Sequence, residues 1–466
     1  MPIMMSFKGI LTTAGAVILL LAVLLLPAGR AAGQAEPRKH VVGAIDNFFS
    51  ISLKYNVSID ELKKANPGIT SPKPGDVLII PDKGQYVENT PATPVKTGKV
   101  HHETFHVALM VPFYLEQLED TNWRHKLEPS KIGELAPFRF VQFYQGFMMA
   151  ADSLRQRGLN VEIHVYDVDQ QASKAEQVLK KPEMKDMDLI VGPFLKNTFP
   201  IVSDFARLNN IRIINPFSPR NDILLDNPNV FKLLPSIESQ PALVARLVKR
   251  DFSNYNYILY IPNKIQDAEL IGQYRQAIEQ NDPTGNHMVT VIDYATDSIR
   301  GFQKYASRTQ PNLIIVFSQN EVLPAALLNR LNAMKSDYQI TVIGIPEWDK
   351  FGNIESGFLM SLNANILVSS YIDYRSDAVK GFVNAYRAKY FDEPMTYAFS
   401  GFDAGYYFLG SLLEFGRDFA DHLEEIDISL IQNQFHFERT GNGGYDNLNW
   451  NILYYYDYSL YRKYSY

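Results

Sequence analysis

Residues 188–219 read DLIVGPFLKNTFPIVSDFARLNNIRIINPFSP. A short apolar run from Asp188 ends at Gly192-Pro193. An amphipathic stretch, Phe199 to Asn210, follows it. A second apolar run, Ile211 to Asn215, then ends at Pro216. Short apolar runs bounded by Gly or Pro predict buried strands, and the amphipathic stretch between them predicts a helix. Strand, helix and strand joined by short connections predict two parallel strands with the helix packed on their sheet.

The same rhythm extends in both directions. FHVALMVPF, VEIHVYDV, YILYIP, MVTVIDY, LIIVFS and ITVIGIP are predicted strands. FRFVQFYQGFMMAADSLRQRG, residues 138–158, is a predicted helix with Phe140, Phe143, Phe147, Ala150 and Leu154 at helical spacing. ASKAEQVLKK is another. About 360 residues of such alternation exceed one core and predict two lobes, each a parallel sheet flanked by helices. Two features interrupt the pattern. Residues 115–137 form an insertion after the first strand. The tail from Phe435 reads as two or three strands with Gly-rich turns, and its tyrosines read as sheet faces.

This ordered series resembles the type 1 periplasmic binding proteins, the group that includes branched-chain amino-acid receptors. It is carried by Val161–Asp167, Ala172–Val178, the 188–219 stretch, the passage NPNVFKLLPS (Asn227–Ser236), PNLIIVFSQ and SGFDAGYYFLGSL. The resemblance implies a ligand cleft between lobes, at the carboxyl ends of the strands. It places there Lys196, Asn197 and Thr198, then Phe217 and Ser218, then Ser318 and Gln319, then Glu347 and Trp348. The departures matter. Amino-acid receptors carry hydroxyls in the first two of these loops, to hold a carboxylate. Here the loops are FLKNT and FSPR, and Pro219 has no N–H to donate. Lys196 and Arg220 are the cations that remain for an anion.

A smaller pattern precedes the large one. Residues 40–81 read HVVGAIDNFFSISLKYNVSIDELKKANPGITSPKPGDVLIIP. A strand at His40–Val42 is expected, then a helix capped by Asn47. A second helix is capped by Ser58 with Glu61 three residues on, and Asn66-Pro67-Gly68 stops it. A strand, Val77–Ile80, closes the unit. This βααβ segment resembles the LysM module, a binder of N-acetylglucosamine-containing glycans such as peptidoglycan. Ser50-Ile51-Ser52, Lys54-Tyr55, Val57-Ser58, Glu61-Leu62, Ala65-Asn66-Pro67, Lys73-Pro74-Gly75 and Leu78, Ile80-Pro81 carry the resemblance. It implies sugar contacts at Asp46, Asn47, Asn66, Pro67, Gly68 and Ile69. The family's Gly-Asp-Thr before the first helix is replaced by Ile45-Asp46-Asn47. Residues 82–104 are polar and rich in Pro, Thr and Gly, which predicts a linker.

Lys8, the apolar run at 10–28 and the small residues after it predict a secretory signal peptide over residues 1–33, with an uncleaved anchor as the alternative. The chain has no cysteine, so disulfides, thiolate metal sites and a lipidated cysteine are not expected. Net charge is −6, which offers no basic footprint for nucleic acid.

His102-Glu103-Thr104-Phe105-His106 spells H-E-x-x-H. A zinc protease needs both histidines one turn apart on a helix. Here they span a linker end and a strand start, and residues four apart on extended backbone lie about 13 Å apart. Zinc bonds of about 2 Å do not close that gap. No P-loop, GxGxxG or G-x-S-x-G is present. No catalytic residue, metal or cofactor is therefore expected. The expected function is a non-enzymatic cell-envelope protein, periplasmic or otherwise exported. It would bind peptidoglycan through LysM, and a small ligand or an envelope protein through the two-lobed domain. Two alternatives stay open: the solute receptor of an ABC-type importer, and a regulator of peptidoglycan synthesis. Outer-membrane activators of peptidoglycan synthases share the two-lobed fold.

Overall fold

A computed structural model describes residues 38–42, 59–69, 72–73, 75–81, 101, 103–116, 136–262, 268–281, 288–318, 320–345 and 348–465. The chain divides into two compact units, Met1–Tyr86 and Val87–Tyr466. The expected signal segment, the first LysM helix, and most of the linker and of the 115–137 insertion lie outside the described residues.

In the small unit, β1 (Arg38–Val41) pairs antiparallel with β2 (Val77–Ile80). Helix α1 (Ile59–Ala65) packs beside them. Val42, Leu62, Leu78 and Ile80 form the core, with Ile69 against it. Leu78 and Ile80 are buried while Val77 and Ile79 are exposed, so β2 buries alternate residues.

The large unit contains two seven-stranded sheets. The first lobe uses β3 (Phe105–Val111), α2 (Ala136–Arg155), β4 (Val161–Asp167), α3 (Ala172–Leu179), β5 (Leu189–Val191), α4 (Phe199–Leu208), β6 (Arg212–Asn215) and β7 (Val230–Lys232). The second uses α5 (Gln240–Asp251), β8 (Asn256–Ile261), α6 (Ala268–Asn281), β9 (Thr290–Asp293), α7 (Tyr294–Tyr305), β10 (Asn312–Phe317), α8 (Val322–Met334), β11 (Ile340–Ile345), α9 (Ser356–Ser361) and β12 (Asn365–Val368). The central strands are parallel, in orders β4-β3-β5-β6-β7 and β9-β8-β10-β11-β12. Each predicted strand of the alternating series is present.

Helices α10 (Asp377–Tyr390) and α11 (Thr396–Phe415) return to the first lobe. Helix α11 crosses α2 in backbone contact. A Cβ at Gly146 would fall on the Ala398 carbonyl, and one at Gly401 on the Phe143 carbonyl, so neither position accepts a side chain in this packing.

The tail supplies four strands, not two or three, and they divide between lobes. β13 (Phe437–Arg439) and β14 (Tyr445–Asn447) extend the first sheet, β14 running parallel to β7. β15 (Asn451–Tyr456) and β16 (Ser459–Ser465) extend the second, beside β12. The backbone thus passes between lobes three times, after β7, after β12 and after β14. The passages are tied together. Asn447 Nδ2 donates to the Leu233 carbonyl at 2.8 Å, and Trp450 Nε1 donates to Ser239 Oγ at 2.8 Å. Arg462 donates to the carbonyls of Tyr371 and Gln432.

Candidate functional site

In each lobe the strand order reverses direction about its first strand, between β3 and β5 and between β8 and β10. A sheet of this order opens a crevice beyond the strands' carboxyl ends at that point. Of the loops at these two points, the sequence reading selected those after β5 and β10, together with those after the neighbouring strands β6 and β11.

Their polar groups are largely spent within the protein. After β6, Asn215 is buried, and its Oδ1 accepts from the backbone N–H of Phe217 at 3.0 Å and of Ser218 at 2.8 Å. This is an Asx turn, in which a side chain takes the amides that would otherwise point outward. Ser218 Oγ accepts from Arg220 N at 3.2 Å. The Arg220 guanidinium grips Asp222, with Nε 3.0 Å from Oδ1, and holds that carboxyl below its usual range. After β3, the amides of Phe113, Tyr114 and Leu115 all donate to the Asp167 carboxylate at the end of β4. Lys174 stands 2.8 Å from Asp169 and 3.3 Å from Glu116, closing that corner with an ion-pair network.

After β5, Lys196 and Asn197 are exposed, but Thr198 is fully buried and its hydroxyl turns to the Leu195 carbonyl. In the second lobe, Ser318 is fully buried and donates to the Asn320 carbonyl at 2.7 Å. Trp348 is 1% exposed and packs on Gly344, inside the lobe's core. Thr198, Ser318 and Trp348, expected to face a ligand, are thus buried core or loop-stabilising groups. Gln319 and Glu347 lie outside the described residues.

Phe194 and Phe217, in the loops after β5 and β6, belong to an aromatic cluster on the first lobe's core. Phe217 sits 5.0 Å from Phe194, 5.4 Å from Phe143 and 4.8 Å from Tyr397, ring centre to ring centre. Phe140 joins it, 5.5 Å from Phe194. Phe194 is buried and Phe217 half-buried. The Phe217–Phe194 and Phe217–Phe143 pairs are edge-to-face, a geometry that adds about 0.5–1.5 kcal/mol per pair beyond the area buried. Sequence reasoning named Phe217 but missed Asn215, Asp167 and Tyr397. An Asn just before the Pro-Phe-Ser loop was the available signal for the Asx turn.

In the small unit, Asn66 is buried. Its Nδ2 donates to the carbonyls of Leu62 and Ile79, each at 2.8 Å, and its Oδ1 accepts from Ile79 N at 2.7 Å. It pins the end of α1 to β2 and is not free for a sugar. Pro67 and Gly68 are exposed and Ile69 is half-buried, so this loop does present a surface. Gly68 has φ +103°, a conformation that glycine adopts at little cost. Asp46 and Asn47 lie outside the described residues.

The LysM domain family matches residues 40–81. A Rhodospirillum rubrum protein assigned to branched-chain amino acid ABC transport is 14% identical, with 77% of this chain and 100% of that one covered, at a TM-score of 0.54. The larger unit has the type 1 periplasmic binding protein fold. An ABC transporter substrate-binding protein from Desulfitobacterium hafniense is also similar, at 14% identity, 77% and 100% coverage and TM-score 0.47. Full-length LpoA from Haemophilus influenzae matches at 11% identity, 78% and 60% coverage and TM-score 0.47. No curated protein matches the chain. The chain therefore joins a LysM domain to a periplasmic-binding-protein fold. Among the described residues, no helix is long and apolar enough to cross a membrane.

Proposed function

We propose that this chain is a non-enzymatic envelope protein whose LysM domain holds it on peptidoglycan and whose two-lobed unit engages a protein partner. The observation that carries the second half is the Asn215 turn. A receptor for an amino acid needs loop amides and hydroxyls free to surround a carboxylate. Here the amides of Phe217 and Ser218 belong to Asn215, those of residues 113–115 belong to Asp167, and the hydroxyls of Thr198 and Ser318 are buried. Replacing such bonds with a ligand's would gain little, because each broken internal bond must be recovered first.

A regulatory role in wall synthesis suits both halves, since a wall-bound protein stays beside the enzymes that extend the wall. An importer's receptor should instead diffuse, and its crevice should hold open donors. The envelope location rests on the same pairing of a glycan module with a binding-protein fold.

Two measurements test the reading. Purified sacculi should sediment the protein but not a fragment starting at residue 100. Thermal melts with the twenty amino acids should leave the transition unmoved. A clear stabilisation by any amino acid would restore the receptor reading, and co-sedimentation of the shorter fragment would remove LysM as the anchor.

A further inference from the structure

The histidine that ends the HETFH motif has a different use. His106 lies on β3, and the parallel register sets it beside Glu162 on β4, with Ala108 beside His164. Side chains two apart share a strand face, so His106, Glu162 and His164 all project from one face. The small Ala108 side chain opposite His164 leaves its ring room to approach His106, and the ring centres are 5.9 Å apart. His106 Nδ1 is 3.5 Å from Glu162 Oε2. One ligand atom from each of the three residues lies within 4.8 Å of the others.

His164 adds an independent observation. Its Nε2 is buried and has no hydrogen-bond partner. A buried imidazole nitrogen without a partner costs about 1–3 kcal/mol, so it calls for an explanation. A bound cation is one.

We propose that His106, Glu162 and His164 form a site for a borderline divalent transition metal, zinc above all. Two imidazoles and one carboxylate are a zinc donor set that leaves the fourth position open for water or a further ligand. Bonds of about 2.0–2.1 Å put tetrahedral ligand atoms about 3.3 Å apart, so the trio must close by no more than about 1.5 Å. The Glu162 side chain is 63% exposed and that of His106 36%, which leaves both free to turn inward. The site is not a protease centre. Glu103 of the motif pairs with Arg417 at 3.0 Å and takes no part. The site also lies toward the amino ends of β3 and β4, away from the crevice. β4 is the edge strand of its sheet, and the metal would staple it to β3.

The test is titration of the full chain with zinc alone, and with cobalt(II) as a spectroscopic probe. One zinc per chain at this site is expected, with a cobalt absorption typical of tetrahedral nitrogen and oxygen ligands. His106→Ala and His164→Ala should each weaken zinc binding by at least about ten-fold. Glu162→Gln, at an exposed position that should not disturb folding, should weaken it too and alter the cobalt spectrum. A His101→Ala, His102→Ala double variant should bind as the parent does. Absence of zinc binding, or binding that survives all three ligand variants, would overturn the site. So would loss of binding in the double variant alone.

Discussion

Lys232 Nζ lies 2.6 Å from Asp446 Oδ1, and both side chains are buried. The pair joins β7, where the chain first leaves the first lobe, to β14, where it leaves for the last time. Lys232 also donates to the Leu234 carbonyl, and Asp446 accepts from Ser236 Oγ at 3.0 Å. Burial pushes the lysine's pKa down and the aspartate's up, and each partner opposes the shift of the other.

Lys232→Met should therefore destabilise the large unit by about 3–5 kcal/mol, because it strands a buried carboxylate. Pairing it with Asp446→Leu should recover most of that loss. Chemical denaturation of both variants checks this. Equal losses in the single and double variants would show that the pair's charge is not what matters.

Asp403 on α11 is fully buried and accepts backbone N–H bonds from Ile431, Gln432 and Asn433. Burial raises its pKa to about 7, against the pull of those three donors. The unfolded value is near 3.9. Between about pH 4 and 7 the folded state thus holds the proton that the unfolded state has lost. Its contribution is fully present below pH 4 and is lost as pH rises through about 7, with a slope of at most about 1.4 kcal/mol per unit. Asp403→Asn should flatten this slope while lowering stability overall. Melting curves from pH 4 to 8 read both effects, and an unchanged slope would count against the assignment.

Phe194→Ala should cost about 3–5 kcal/mol, since the ring is buried among Phe140, Phe143 and Phe217. The void would be apolar and without donors. Stability should fall while no amino-acid binding appears, as calorimetry with leucine or isoleucine would reveal.

Asn66→Ala removes three side-chain hydrogen bonds, two to Ile79 of β2 and one to Leu62 of α1, and leaves the Ile79 amide without its acceptor. A loss of about 2–3 kcal/mol is expected in a domain with so small a core. Binding to sacculi should fall because the module unfolds. A bulky residue at exposed Pro67 should instead reduce binding with the fold intact, which circular dichroism of the full chain would separate from unfolding.

Much of the architecture was legible because it is local. Runs such as DLIVGP and LIIVFS, and the helical spacing of Phe140, Phe143 and Phe147, declare their elements within a dozen residues. The LysM segment was equally plain, since the residues that carry it are neighbours in sequence. The crevice was not. Ser318 and Thr198 carry the residue types of a binding loop, yet their hydroxyls serve carbonyls two or three residues away. Trp348 follows a strand end, but folds back onto Gly344.

What the amino-acid order determined alone was the period of each element, the fold class and the two recognisable modules. Tertiary structure decided which polar groups remain free, how the tail divides between the sheets, and that His106 meets His164 across 58 residues of chain. The reason is range. Side-chain period is set by backbone geometry within a few residues, whereas a hydrogen-bond partner or a strand register is chosen by segments that meet only once the lobes have packed.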